Sequence, residues 1–153
     1  MALKVVVNGD VTVMDVDAVV NAANEQLARG GGVCGAIFAA ADDPRLEEEC
    51  RKLAPCPTGS AVVTGAYSMQ AKYIVHAVGP IWRGGMHHEE EQLHDAYINA
   101  LKAAKEKGCK SIAFPLISSG IYGYPREDAM HVAMGAITEY LRDYLMDVFL
   151  VLK

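Results

Sequence analysis

Apolar positions along this chain fall into two rhythms. Short, nearly continuous apolar runs cover residues 3–8, 18–22, 60–66, 73–78, 111–116 and 147–152, and each predicts a strand. The run at 18–22 is continuous enough to be buried on both faces of a sheet. Between them lie stretches with helical spacing. Residues 33–41 suit a short helix. Asp43 followed by Pro44 offers an N-cap and a proline at the first helical position, so a helix is expected through about Leu53, ended by Pro55 and Pro57. In residues 89–107 Leu93, Tyr97, Ala100, Leu101 and Ala104 recur on one face, acidic residues crowd the start, lysines the end, and Gly108 stops the run. Residues 125–144 predict a last helix, with Pro125 at its first position and Glu127 and Asp128 in its first turn. Strands alternating with helices predict a central sheet covered on both faces.

Composition narrows the picture. A chain of 153 residues with 52% hydrophobic content is expected to be one domain over residues 1–153. It stops at Lys153 directly after an apolar strand, an ending that suggests a missing tail. No apolar run approaches the roughly 20 residues of a membrane span, and the first residues read as a strand rather than a signal peptide. The net charge of −5 argues against a broad nucleic-acid footprint, though not against one nucleotide. Cys34, Cys50, Cys56 and Cys109 include no C-x-x-C pair, so reduced, mostly buried thiols and a cytoplasmic home are expected.

The chemistry concentrates at two strand ends. Val19-Val20-Asn21-Ala22-Ala23-Asn24 runs from an apolar strand into two asparagines, and Arg29-Gly30-Gly31-Gly32-Val33 then opens a helix. Glycines let backbone N–H groups approach phosphate oxygens, and a helix N-terminus favours negative charge. The N–H groups of Gly31, Gly32, Val33 and Cys34 are therefore candidate ligand contacts. A second such loop, Pro115-Leu116-Ile117-Ser118-Ser119-Gly120-Ile121-Tyr122-Gly123-Tyr124, also follows a strand. Two such loops suggest a diphosphate held from both sides. Gly30 to Gly35 formally fits G-x-G-x-x-G, but six residues separate it from the strand and no acidic residue follows about 20 positions on, so a Rossmann site is rejected.

With Asn8-Gly9-Asp10-Val11-Thr12 and Val75-His76-Ala77-Val78-Gly79-Pro80, these segments resemble the macro domain family over nearly the whole chain. Cys56-Pro57-Thr58-Gly59-Ser60-Ala61 and Tyr122-Gly123-Tyr124-Pro125 resemble its MacroD-like branch. The resemblance implies a three-layer α/β/α fold with a mixed central sheet, and ADP-ribose as ligand. It implies hydrolysis of mono-ADP-ribosyl linkages or of O-acetyl-ADP-ribose, with ADP-ribosylated proteins as partners and no cofactor. It assigns Asp10 to the adenine amino group, with the Val11 backbone completing recognition. Ser118, Ser119, Gly120 and Ile121 would offer backbone N–H groups to the diphosphate. Asn24 and Tyr122 would hold the distal ribose and form the catalytic pair, while Asn21 would hold the loop backbone.

Cys34 departs from that branch, whose usual Gly-Gly-Val-Asp-Gly supplies an acidic residue here. Cys34 reads as a small packing residue lining the ligand site, and a substrate phosphate oxygen would activate water in place of the missing Asp. The competing expectation is a non-catalytic reader of ADP-ribose marks. His76 in its apolar run reads as a core residue. His87, Glu91 and His94 share a helical face but read as a solvated surface, so no metal site is expected.

Overall fold

A computed structural model describes residues 2–153. Six strands, β1 (Leu3–Val6), β2 (Ala18–Ala23), β3 (Ala61–Gly65), β4 (Tyr73–Val78), β5 (Ser111–Phe114) and β6 (Asp147–Val151), form one sheet in the order β1-β6-β5-β2-β4-β3. All neighbours are parallel except β3, which runs antiparallel to β4. Four helices, α1 (Gly32–Ala41), α2 (Pro44–Leu53), α3 (Glu89–Glu106) and α4 (Arg126–Leu141), cover it.

Alternation along the strands sends neighbouring side chains to opposite faces. Val19, Ile74 and Ala113 pack with Ile37, Phe38, Leu46 and Cys50 of α1 and α2. Val20, Val75 and Phe114 pack with Leu93, Tyr97, Leu101 and Ile137 of α3 and α4. The result is the expected three-layer α/β/α fold with a mixed central sheet. Leu93, Leu101 and Ile137 are fully buried, and each contributes about 1.5–3 kcal/mol by leaving water. Asp43 caps α2 through a 2.9 Å bond from the Arg45 N–H, as its sequence position predicts.

Three elements differ from the sequence reading by more than one residue at an end. The run at 111–116 ends as a strand at Phe114, because Pro115 has no N–H to continue a ladder. The first strand stops at Val6, before Asn8 turns to φ +57°. The last helix begins at Arg126, with Pro125 as its cap, and ends at Leu141, where the N–H groups of Asp143 and Tyr144 both turn onto the Tyr140 carbonyl. Among the described residues no helix is long and apolar enough to cross a membrane. All four cysteines are free and buried.

Candidate functional site

The carboxyl ends of the parallel strands open into a cleft of about 470 Å³. Its walls come from the segments after β2 (residues 22–24 and 30–34), β4 (Gly79), β5 (residues 115–122) and β6 (residues 151–153), with Arg126 from the start of α4. Ligands of open α/β sheets collect at this edge. Of the expected contacts, Asn24, Gly31, Gly32, Val33, Cys34, Ser118, Ser119, Gly120, Ile121 and Tyr122 all line it. Asp10 and Val11 do not.

The first loop is shaped by glycine. Gly31 caps α1 without a side-chain bond, and Gly32 takes φ +56°. As opening residues of the helix, Gly32, Val33 and Cys34 have no carbonyl one turn back to receive their N–H groups. Those groups form the electropositive end of α1. The second loop is shaped from outside. The Tyr97 hydroxyl, fully buried on α3, accepts from the Ile117 N–H at 3.0 Å and donates to the Pro115 carbonyl at 3.3 Å. The Ser119 hydroxyl donates to the Leu116 carbonyl, the Trp82 N–H to the Tyr122 carbonyl, and the Tyr124 N–H to the Ser118 carbonyl. Ser118 takes φ +68°, an unusual conformation for a residue with a side chain, and its buried hydroxyl has no partner among the described residues. A Cβ on Gly79 would lie 2.3 Å from Ser118 Oγ and 2.5 Å from Ile117 Cγ2, so only glycine lets the β4 end pass beneath this loop. The loops meet at the mouth, where a Cβ on Gly31 would lie 3.6 Å from the exposed Ile121 side chain.

The duty expected of Asn21, holding the loop backbone, falls to Asn24. Asn24 holds the loop backbone: its Nδ2 donates to the Ala28 carbonyl and its Oδ1 accepts from the Ala28 N–H, both at 3.0 Å. Asn21 points into the sheet. The register pairs it with His76, and its Nδ2 lies 3.0 Å from His76 Nδ1. His76 Nε2 lies 2.9 Å from Thr64 Oγ1, whose hydroxyl also reaches the Gly65 carbonyl. These contacts suit a neutral ring with its proton on Nε2. Burial holds His76 down at about 4, so it is a satisfied core residue as the sequence suggests. Asn21 Nδ2 also lies 3.7 Å from Cys34 Sγ, and that thiol lies 3.7 Å from the Ala28 carbonyl. Cys34 is buried in the core cluster under α1 while lining the cleft floor.

Asp10 caps a short 3-10 turn, Val11–Val13, accepting from the Thr12 hydroxyl at 2.7 Å and the Thr12 N–H at 2.9 Å. Those bonds, with the Lys153 charge, hold its carboxyl below the ordinary range. The Gly9 N–H donates to the carbonyl of Leu152, which lines the cleft, at 2.8 Å, so Asp10 follows at the cleft's rim. Tyr122 is half-buried, and its phenol is pushed up by burial and by the nearby Glu25 and Cys34.

The sequence did not single out Tyr97, Gly79 or Arg126 as site residues. Tyr97 carried only a helical core signal, and Gly79 lay in a matched motif without a stated role. Arg126 carried no signal. His94 also differs from its reading as part of a solvated face: it lies 3.1 Å from Asp95 and 3.2 Å from Glu139, tying α3 to α4. No cluster of metal-ligating side chains occurs among the described residues. Among the described residues no Asp, Glu or His side chain lines the cleft.

Comparison with known proteins agrees with this geometry. Residues 20–133 match the family model described as Macro domain. An O-acetyl-ADP-ribose deacetylase of Citrobacter rodentium is 52% identical over 140 residues, covering 89% of this chain and 78% of that protein. Among solved structures, the Oceanobacillus iheyensis macrodomain with MES bound superposes with a TM-score of 0.91 at 38% identity, over 98% of this chain and 82% of that one. The Trypanosoma brucei macrodomain in complex with ADP-ribose gives 0.89 at 34% identity, over 98% of this chain and 63% of that one.

Proposed function

Because the chain belongs to the macro domain family, we propose that it binds ADP-ribose in the cleft and hydrolyses ADP-ribose derivatives there. The substrates are O-acetyl-ADP-ribose and mono-ADP-ribosylated proteins. The observation that carries this reading is the pair of loops, each rich in backbone N–H groups, on one cleft at the strand ends. Two loops suit the two phosphates of a diphosphate. Asp10 and the Val11 backbone take the adenine, beyond the end of the cleft marked by Lys153. Gly31, Gly32, Val33 and Cys34 face the diphosphate from one side, and Ser118, Ser119, Gly120 and Ile121 from the other. Asn24 and Tyr122 hold the distal ribose. Asn24 does so with its amide already fixed by Ala28, which orients it before ligand arrives.

The chemistry is hydrolysis without a protein base, since no carboxylate or imidazole lines the cleft. In O-acetyl-ADP-ribose, water attacks the acetyl carbonyl carbon, the ester C–O bond breaks, the ribose oxygen takes a proton, and acetate leaves. In an ADP-ribosylated carboxylate, water attacks the anomeric carbon, the carboxylate leaves, and a phosphate oxygen of the substrate receives the water proton. The loops supply position and charge stabilisation. The same lack of a base favours a second reading, a binding module that recognises ADP-ribose without useful turnover. We place the protein in the cytoplasm, where four free buried thiols stay reduced.

Incubation with O-acetyl-ADP-ribose and with a protein mono-ADP-ribosylated on acidic residues, beside an Asn24→Ala control, separates the readings. Release of acetate or ADP-ribose by the parent and not by the control supports the enzyme. Tight binding with no release supports the reader. Calorimetry should rank ADP-ribose above ADP and AMP, and equal affinity for AMP would sink the two-loop diphosphate site.

A further inference from the structure

A second cavity, of about 200 Å³, lies on the α3–α4 side of the molecule beside the second loop. Its walls include Trp82, Tyr124, Glu90, Asp128 and His131. The Trp82 and Tyr124 rings stand 4.7 Å apart, inclined at 57°. Tyr124 is 4% exposed, and its hydroxyl has no hydrogen-bond partner among the described residues. Burial pushes that phenol up, followed by the nearby Glu90 and Asp128 charges, so it stays a neutral O–H with lone pairs to offer.

The two carboxylates stand in the first turns of α3 and α4, where the helix ends favour negative charge. Neither Glu90 nor Asp128 makes an ion pair or side-chain hydrogen bond among the described residues. Their neighbour Glu89 does the structural work. It is buried, and its oxygens accept from the N–H groups of Arg83, Gly85 and His87 at 2.6–2.9 Å, fixing the loop that carries Trp82. Among the described residues no lysine or arginine lines the cavity. Two aromatic rings, two carboxylates with no cationic side chain paired to them among the described residues, and a free phenol oxygen form an environment for a cation and a hostile one for an anion.

The cavity is joined to the main cleft. The Trp82 backbone N–H donates to the carbonyl of Tyr122, which lines that cleft, at 2.8 Å. Tyr122 and Tyr124 are two positions apart, a span of at most about 7 Å. That is also the spacing between residues one or two positions apart in a bound extended peptide. We propose that this cavity receives the cationic side chain, lysine or arginine, of a residue flanking the ADP-ribosylated residue in a polypeptide substrate. The inference rests on the ADP-ribose reading above and specifies which modified polypeptides the site prefers. A net charge of −5 on the protein favours the same basic partners at longer range.

The test uses two peptides carrying mono-ADP-ribose through a non-hydrolysable linkage, identical except for lysine or norleucine beside the modified residue. Trp82 is the only tryptophan, so its emission reports occupancy of the cavity directly. The lysine peptide should bind about 2- to 30-fold more tightly by calorimetry, in line with a cation on aromatic faces, and should change Trp82 emission beyond the effect of free ADP-ribose. Added salt should narrow the difference. The double variant Glu90→Gln, Asp128→Asn should abolish the preference while free ADP-ribose binds as in the parent. If that variant folds poorly, Asp128→Asn alone should give a partial loss. Equal affinity for the two peptides, with free ADP-ribose bound normally, would overturn the cation subsite and leave the ADP-ribose reading standing. A preference that survives in a folded double variant would also overturn it. Failure of free ADP-ribose to bind would overturn both.

Discussion

The two loops of the cleft do the same job and are built in opposite ways. The first is shaped by its own sequence: Gly31 and Gly32 set the backbone, and the start of α1 supplies the free N–H groups. The second is shaped by residues far from it. Tyr97 from α3 grips Pro115 and Ile117, Gly79 makes room beneath Ser118, and the Trp82 backbone holds Tyr122. A loop of the first kind tolerates change elsewhere in the protein. A loop of the second kind depends on the packing around it, and that dependence is open to test.

Gly79→Ala should break the comparison most sharply. The added methyl would meet Ser118 and Ile117 at 2.3–2.5 Å, where neither a buried serine nor a buried isoleucine can give way freely. Overpacking of this kind costs about 1–3 kcal/mol of stability, and ADP-ribose affinity should fall beyond that because the second loop must shift. Thermal melting and calorimetry on one sample check both effects. Unchanged affinity would show that the second loop does not touch the ligand.

Tyr97→Phe should come next. It keeps the ring and removes the hydroxyl, leaving the buried Ile117 N–H without its acceptor, a loss of about 1–2 kcal/mol. Hydrogen exchange should rise at Ile117 and its loop neighbours while the first loop stays protected. Equal protection in parent and variant would remove Tyr97 from the support of the site.

This contrast also explains what could be read from the sequence. The strands, the helices and the first loop carry local signals: apolar runs, 3.6-residue spacing, an Asp-Pro helix start and three glycines. The second loop was visible as a serine- and glycine-rich turn after a strand, but its supports were not. The hydroxyl of Tyr97 acts across 18 to 20 positions of chain, and helical periodicity reports only that its ring is buried. That Asn24 and not Asn21 holds the loop backbone was hidden for a similar reason. Which amide faces the sheet follows from the β2–β4 register, which sets Asn21 opposite His76, and no local pattern fixes that register.

Glu89 gives a smaller, pH-dependent effect on the outer support of the second loop. Burial acts to raise its carboxyl, but the backbone N–H groups it receives outweigh that and hold it down at about 2, against an ordinary 4.5. A carboxyl lowered on folding contributes stability that is present above the ordinary value and lost as pH falls toward about 2. Melting temperatures of the parent should therefore drop across that window. Glu89→Gln should start lower at neutral pH and show a flatter acid limb. Identical slopes for the two proteins would show that Glu89 is not held in its charged form by the loop.

The smallest change is expected from Cys34→Ser, at a residue of the first loop that both packs and lines the cleft. Serine nearly keeps the volume and can still donate to the Ala28 carbonyl and accept from Asn21, the two contacts that Cys34 Sγ makes at 3.7 Å. If Cys34 only packs, ADP-ribose affinity and hydrolysis should stay near parent. Loss of all turnover with affinity intact would make the thiol catalytic. Cys34→Asp sharpens the same point from the other side. It introduces a carboxylate into a cleft that has none, so faster release of ADP-ribose at unchanged affinity would place the gain in the chemical step. The new charge sits at the helix end that favours anions, but it also stands beside the bound diphosphate and repels it. Affinity measured with the rate separates the two: weaker binding without faster release would mean that the first loop serves only to hold phosphate.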